Sequence, residues 1–295
     1  MNAVPHATAL VAFSTAAEAG SFSAAGRILG TSPSAVSKAI ARLEQGLRAR
    51  LFQRSTRVLS LTPEGAAYYE RIAPLLRALD DASEVMRPEA TAQGRLRVTA
   101  AGELGRLLMA PIVDRFLPAH PTLKLEMSLA DRHVDLIREG FDLAIRAGRV
   151  ADSELNVREL ARLPLTLVAS PAYLSRGGTP HSVADLTRHA HVRYLLAGRA
   201  FPITFASGEE VRPEGVFDTD DGTALRRAAL GGLGIIQILR LAVAEDIAAG
   251  RLTEVLPGEP LPRVPVSVLH AFGRHAPMRA RKFIDFLAEQ LFALQ

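Results

Sequence analysis

Apolar side chains near the start of the chain recur three and four residues apart. Ala9, Leu10, Phe13, Ala16 and Ala17 predict a first helix that Gly20 ends. Ala24, Ala25, Ile28 and Leu29 predict a second, short helix with Ser21 as its cap. Gly30 is placed to stop it, because glycine enters the left-handed region without steric cost. Thr31 and Ser32 are cap candidates for a third helix. Pro33 suits that helix's first turn, where an amide N–H would have no partner anyway. The third helix runs from Pro33 to Glu44, with Val36, Ile40, Leu43 and Leu47 as its inward stripe. From Leu51 to Leu61, two short extended runs flank a basic centre and predict a β-wing.

The next pattern is narrower. Thr62, Pro63 and Glu64 supply an N-cap, a first-turn proline and an acid at the positive end of a helix dipole. Tyr69, Ile72, Leu76, Leu79, Ser83 and Met86 then alternate by three and four, the spacing of a seam that meets a partner helix. The 25 residues from Pro63 to Arg87 span roughly 37 Å as one helix. Pro74 removes one backbone hydrogen bond and predicts a kink costing about 3 kcal/mol. Pro88 to Gly94 reads as a short hinge.

Beyond Gly94 the period alternates. Leu96–Ala100, Leu123–Leu129 and Phe141–Arg146 read as strands, with helices at Leu104–Leu117 and Val134–Glu139 between them. Alternation of this kind predicts an α/β sheet that binds ligands at the carboxyl ends of its strands. Leu230–Leu239, with its three glycines, reads as a buried strand and a tight approach to it.

Charge changes the picture at one end only. Residues 21–62 hold seven basic groups (Arg27, Lys38, Arg42, Arg48, Arg50, Arg54 and Arg57) against Glu44, a balance of +6. Residues 63–90 hold three basic groups and six acids, and residues 91–295 hold 25 and 23. The net charge of +4 therefore hides a compact basic module, the footprint of nucleic-acid binding. Small polar residues near the start of the third helix permit close approach to base edges. Lys38 and Arg42 can reach phosphate or guanine, and Arg54 and Arg57 in the wing can lie along the phosphate backbone.

Other chemistries are excluded or unsupported. The chain has no cysteine, which excludes disulfides, thiolate zinc sites and thiol catalysis. It carries no H-E-x-x-H, no G-x-S-x-G and no Walker lysine. Asp218, Asp220 and Asp221 precede Gly222, but residue 223 is Thr where a calcium loop needs glycine, so an N-cap for a helix over 222–231 is expected instead. No catalytic residue, cofactor or metal is expected. No run reaches the roughly 18 apolar residues of a membrane span. The small apolar stretch Ala9–Ala19 lacks a positive flank and contains Glu18, so it is read as a helix rather than a secretory signal. A cytoplasmic protein without membrane contact is expected.

The stretches Gly20-Ser-Phe-Ser-Ala-Ala25, Thr31-Ser-Pro-Ser-Ala-Val-Ser-Lys38, Arg42-Leu-Glu44, Leu51-Phe-Gln-Arg54 and Leu61-Thr-Pro-Glu-Gly65, with Phe13, Ile40 and Arg57, resemble the winged helix-turn-helix of LysR-type transcriptional regulators. Asp131 to Gly148, Leu167-Val-Ala-Ser-Pro-Ala-Tyr-Leu174 and Gly231-Gly-Leu-Gly-Ile235 extend the resemblance across nearly the whole chain. Gly26 departs from it, standing where the family usually has alanine, at an expected cost of up to ~1 kcal/mol in helix propensity. The resemblance implies a multidomain α/β protein. A winged helix-turn-helix over 1–62 is followed by a dimerising linker helix and hinge over 63–93. An effector domain of the type 2 periplasmic-binding-protein kind follows over 94–295, with subdomain I at 94–168 plus 268–295 and subdomain II at 169–267. The chain is then expected to cross between subdomains near Val168 and Ser267.

It also implies roles. Ser32, Pro33, Ser34, Ser37, Lys38 and Arg42 would meet double-stranded DNA, with Arg54 and Arg57 on its backbone. Tyr69, Ile72, Leu76, Leu79 and Met86 would pair two chains into a homodimer, with tetramers as in the family and RNA polymerase as a candidate partner. A small-molecule effector would sit between the subdomains, on one side against Thr99, Ala100, Ala101, Gly102 and Glu103 with Arg146. The opposite wall would use Leu195–Phe201 and Phe217–Thr219, including Phe201, Phe217 and Thr219. A helix N-terminus at Gly102 favours an anion, whereas Glu103 repels a carboxylate unless Arg106 or Arg146 offsets it. Two other classes compete with a regulator: a solute-binding protein built on the same cleft, and an enzyme acting on a small organic acid. The basic module argues against the first, and the lack of a catalytic constellation against the second.

Overall fold

The computed structural model describes residues 7–54, 59–84, 92–132, 134–148, 150, 155–196, 198–272 and 276–293. The chain divides into two compact units, Met1–Glu89 and Ala90–Gln295.

In the first unit, α1 (Ala7–Ala19), α2 (Phe22–Ile28) and α3 (Pro33–Leu47) precede an antiparallel pair, β1 (Phe52–Arg54) and β2 (Leu59–Leu61), and then α4 (Pro63–Glu84). The caps are local. The Ser21 hydroxyl accepts the Ala24 N–H at 3.1 Å, and the Ser32 hydroxyl accepts that of Ala35 at 3.2 Å. Phe13, Ile40 and Leu51 are fully enclosed, and the Phe13 ring lies 5.5 Å from Phe52 and 5.6 Å from Tyr68. Gly26 has a reason beyond propensity. A Cβ there would sit 2.8 Å from the Thr31 carbonyl oxygen, so its absence lets the turn into α3 close against α2. α4 continues through Pro74.

Glu44 does more than contribute charge. It is buried, and its Oε1 accepts the Leu51 N–H at 2.8 Å and the Phe52 N–H at 3.2 Å, tying the end of α3 to the start of the wing. Replacing it by Ala leaves two backbone donors without a partner, each worth about 1–3 kcal/mol when desolvated. Glu44→Ala should lower the urea midpoint of this unit sharply; an unchanged midpoint would mean that water takes over both bonds.

The second unit contains two lobes. A five-stranded sheet ordered β4-β3-β5-β15-β6 combines β3 (Gly94–Ala100), β4 (Leu123–Leu129), β5 (Leu143–Ala147), β6 (Asn156–Leu163) and β15 (Val264–His270). β3 is parallel to β4 and β5, and β15 returns antiparallel between β5 and β6. Between β3 and β4, α5 (Gly102–Pro111) runs through a wider turn at Ile112–Phe116 into α6 (Leu117–Ala119), where a single regular helix was expected. Pro111 has no N–H to offer the helical ladder, and the π-type turn begins directly after it. α7 (Leu136–Glu139) leads into β5 and is capped by Asp135. α11 (Met278–Phe292) closes this lobe, burying Phe283 and Leu287 in one core with Leu96, Val98, Ile145 and Val268.

The other lobe is built on β7 (Leu165–Ala169), α8 (Pro171–Gly177), β8 (His191–Leu196), and the short strands β9 (Arg199–Ala200), β10 (Ile203–Thr204) and β11 (Glu210–Val211). It continues with β12 (Gly215–Thr219), α9 (Gly222–Leu230), β13 (Ile236–Leu239), α10 (Ala244–Ala248) and β14 (Thr253–Glu254). β7 lies between β13 and β14, and successive residues serve opposite faces: Leu167 and Ala169 enter one core, Val168 the other. Within the 230–239 run, read as a buried strand and a tight approach to it, Ile236–Leu239 form the strand. Gly234 before it passes so close to Ala190 that a Cβ would lie 2.3 Å from that carbonyl oxygen.

The lobe crossings differ from the expected ones. β7, including Val168, belongs wholly to the second lobe, and β15, including Ser267, wholly to the first. The chain therefore crosses at Pro164 and just before Val264, a few residues earlier each time. Strand pairing decides this: Ser267 is registered with Arg146 and Glu159, and Val168 with Ile236.

Candidate nucleic-acid interface and inter-lobe cleft

The stripe Val36, Ile40 and Leu43 turns α3 so that its opposite face is free. Ser34, Lys38 and Arg42 lie four residues apart along that exposed face, preceded by exposed Pro33. Ser37 is half-buried. The Ser32 side chain holds the helix start and lies 3.0 Å from the Ser34 hydroxyl, so it acts first as a cap. Arg27, Arg48 and Arg50 add exposed positive charge. Arg54 stands in β1; its side chain, all of Arg57, and Met86 lie outside the described residues. A helix that shows small hydroxyls at its first turn and basic tips beyond can enter a major groove and pair with bases and phosphates.

The predicted pairing residues divide. Tyr69 packs on its own unit's core, 6.4 Å from the Phe13 ring, and donates its hydroxyl to Glu18 at 2.8 Å. Ile72 and Leu76 are half-buried, while Leu79 is 66% exposed. Leu75, which the seam spacing missed, is 60% exposed and four residues from Leu79. The signal was available: Leu75 neighbours Leu76, and only packing decides which of two adjacent leucines faces inward.

In the second unit, the carboxyl ends of β3 and β5 face the start of α9. Thr99 and Ala100 are buried, and Ala101 and Gly102 begin α5. Arg146 donates to the Thr99 hydroxyl at 3.2 Å, and burial pulls its pKa down while Asp131 partly restores it. Asp131 accepts the Gly102 N–H at 2.9 Å and bonds Tyr194 of the other lobe, whose pKa burial and that acid push up. The α5 N-terminus, whose N–H groups favour an anion, is thus already met by a carboxylate of the chain itself.

Glu103 is neither solvated nor unopposed. It pairs with Arg106 at 3.5 Å and accepts the Thr223 hydroxyl at 3.4 Å across the cleft. Burial raises its pKa, and Arg106 counters this. Arg106 also reaches Asp221 at 3.0 Å, so the two lobes are bridged by charge. Asp221 caps α9 as expected, accepting the Ala224 N–H at 2.7 Å, and the Thr219 hydroxyl accepts the Asp221 N–H at 3.1 Å. Asp218 pairs with Arg193 instead. Phe201 and Phe217 are exposed on the second lobe. Arg106, Asp131, Tyr194, Asp221 and Thr223 make these cross-cleft contacts, and of them sequence reasoning proposed only Arg106 for the site. Asp131 alone carried a usable signal, as the first residue of the matched stretch ending at Gly148.

Two family descriptions cover this arrangement. Residues 7–66 match the bacterial regulatory helix-turn-helix of the lysR family, and residues 89–292 match the LysR substrate binding domain. The chain belongs to the LysR family of transcriptional regulators. Among curated LysR-type relatives, it is 37% identical to the uncharacterized HTH-type transcriptional regulator YhjC of Escherichia coli (strain K12) over 95% of this chain and 96% of that one. It is 33% identical to the HTH-type transcriptional regulator CrgA of Neisseria meningitidis over 96% of each. The solved structure of CrgA from Neisseria meningitidis, a LysR-type regulator, aligns with a TM-score of 0.63 at 32% identity, over 97% of this chain and 99% of that one. This LysR-type regulator therefore joins a DNA-binding helix-turn-helix to a substrate-binding regulatory domain, and its family is not one of enzymes. No helix among its described residues is long and apolar enough to cross a membrane.

Proposed function

We propose that this regulator binds DNA as a homodimer or tetramer in the cytoplasm and is controlled by a small molecule in the inter-lobe cleft. Residues 1–62 carry the DNA-binding head, 63–93 the pairing linker and 94–295 the effector domain. The observation that carries the reading is the free face of α3, where Ser34, Lys38 and Arg42 align opposite a buried stripe. Two such heads suit half-sites about one helical turn, ~34 Å, apart. Arg54 and Arg57 serve the backbone beside the groove. RNA polymerase is the partner through which such a head would act on transcription.

An effector shifts the protein only if it prefers one arrangement of the lobes. Thr99 and Arg146 supply the cleft's polar floor, and the Arg106–Asp221 and Glu103–Thr223 contacts hold its rim. Any effector must compete with those contacts or add to them. Glu103 and Asp131 weigh against a simple carboxylate at the α5 N-terminus.

The test is a salt titration of binding to the DNA upstream of the protein's own coding region, against random duplex. Selective retardation with a steep salt slope is the expected result; equal, weak binding to both would count against the reading. Lys38→Ala should weaken binding about tenfold and lower the salt slope by about one, with the fold intact. An unchanged slope would remove Lys38 from the interface.

A further inference from the structure

α9 has a second face. Thr223, Arg226, Arg227 and Leu230, at helical spacing, line a cavity of about 350 Å³ whose other wall is Asp246 and Arg251. Asp246 has a side chain only 1% exposed. Its Oδ2 accepts Arg226 Nε at 2.5 Å, and its Oδ1 accepts Arg251 Nε at 2.7 Å. One buried carboxylate therefore clamps two guanidinium groups in fixed positions. Three arginines against one aspartate leave two positive charges on the wall. Arg227 has no carboxylate partner among the described residues. Glu103 and Glu245 act on Arg226 only through space.

This arrangement differs from a solvated basic surface. A guanidinium carries five donors in a rigid fork, and Asp246 engages only part of each. The ordering that a ligand would otherwise impose on long side chains is already in place. The charge and the forked donors match a phosphate-type oxyanion, which takes several charge-assisted hydrogen bonds at once.

We propose that this cavity is a binding site for a small phosphate-type oxyanion, either inorganic phosphate or the phosphoryl group of a metabolite, separate from the inter-lobe cleft. Thr223 links the two sites. It lines the cavity, and its hydroxyl also donates to Glu103 at 3.4 Å across the cleft. Occupancy of one site then changes affinity at the other by the same factor.

The experiment is calorimetric titration of the full-length protein with inorganic phosphate at constant ionic strength, chloride serving as the balancing anion. A phosphorylated sugar forms a second arm: tighter binding than inorganic phosphate assigns the site to a metabolite's phosphoryl group, and equal binding assigns it to free phosphate. Saturable binding of one phosphate per chain is expected. Arg227→Ala, at an exposed side chain with no carboxylate partner among the described residues, should weaken it at least about tenfold. Arg251→Gln should do the same, and Lys38→Ala with Arg42→Ala should leave it unchanged. No binding above chloride would overturn the proposal. So would affinity that survives Arg227→Ala and Arg251→Gln, or that is lost in the Lys38/Arg42 variant, which would place phosphate on the DNA-binding face. Light scattering of Arg227→Ala adds a last check: altered mass with unaltered phosphate affinity would make this face an interface between copies, and the proposal would fall.

Discussion

A Gly65→Ala variant should lose about 2 kcal/mol or more of the stability of its DNA-binding unit. Gly65 opens the first turn of α4, and a Cβ there would lie 2.0 Å from the Leu51 carbonyl oxygen and 2.8 Å from its carbon. The neighbour is backbone, so no rotamer change relieves the clash. The same spot is held shut by three bonds: Thr62 N–H to the Leu51 carbonyl at 3.0 Å, the Thr62 hydroxyl to the Arg50 carbonyl at 2.6 Å, and Gly65 N–H to the Thr62 hydroxyl at 2.9 Å. Two effects oppose. Alanine gains about 1 kcal/mol in helix propensity, while overpacking against fixed backbone costs on the order of 3 kcal/mol or more. The clash wins, and α4 must move away from the wing. Urea unfolding followed by circular dichroism, with DNA retardation in parallel, should show a lowered midpoint and weakened DNA binding. A midpoint equal to that of the parent protein would show that the wing can retreat at no cost.

The largest effect on assembly is expected from Leu75→Asp combined with Leu79→Asp. Both leucines are largely exposed on one stripe of α4. Burying each against a partner helix contributes about 1.5–3 kcal/mol, and a symmetric pair does so twice. Aspartate removes that gain and, in the proposed homodimer, sets like charges against each other across its two-fold axis. The dimer dissociation constant should rise at least about a thousandfold, read by sedimentation across a concentration series. The fold should survive, because neither side chain contributes to the unit's own core. Unchanged mass would mean that another surface holds the chains together. Ile72 or Tyr69 would be poorer probes. Tyr69 packs on Phe13 and bonds Glu18, so its loss confuses stability with pairing.

Much of the local architecture was legible. The three helices of the head follow from Ser21, Gly30, Ser32 and Pro33, whose side chains or backbone act within a few residues of themselves. Asp221 was readable as a cap for the same reason. The free face of α3 followed from the spacing of Val36, Ile40 and Leu43, since a helix with one buried stripe must expose the opposite one. The cleft was legible only as one wall. Thr99, Glu103 and Arg146 were found from their place at strand ends, while the residues that answer them from the other lobe were not.

By itself, the sequence determined the head's helices, their caps, the basic face and the alternation that makes an α/β regulatory domain, because periodicity and capping act over three to four positions. Tertiary structure alone decided what those elements do to one another. It turned Glu44 from a lone acid in a basic module into the tie for Leu51 and Phe52. It chose Leu75 over Leu76 for the outer face of α4, and Pro164 over Val168 for the lobe crossing. It brought Arg106 to Asp221, 115 positions away, and set Asp246 between Arg226 and Arg251. Such pairings depend on strand register and on which faces are buried together, and a one-residue slip in either would give every one of these side chains a different partner.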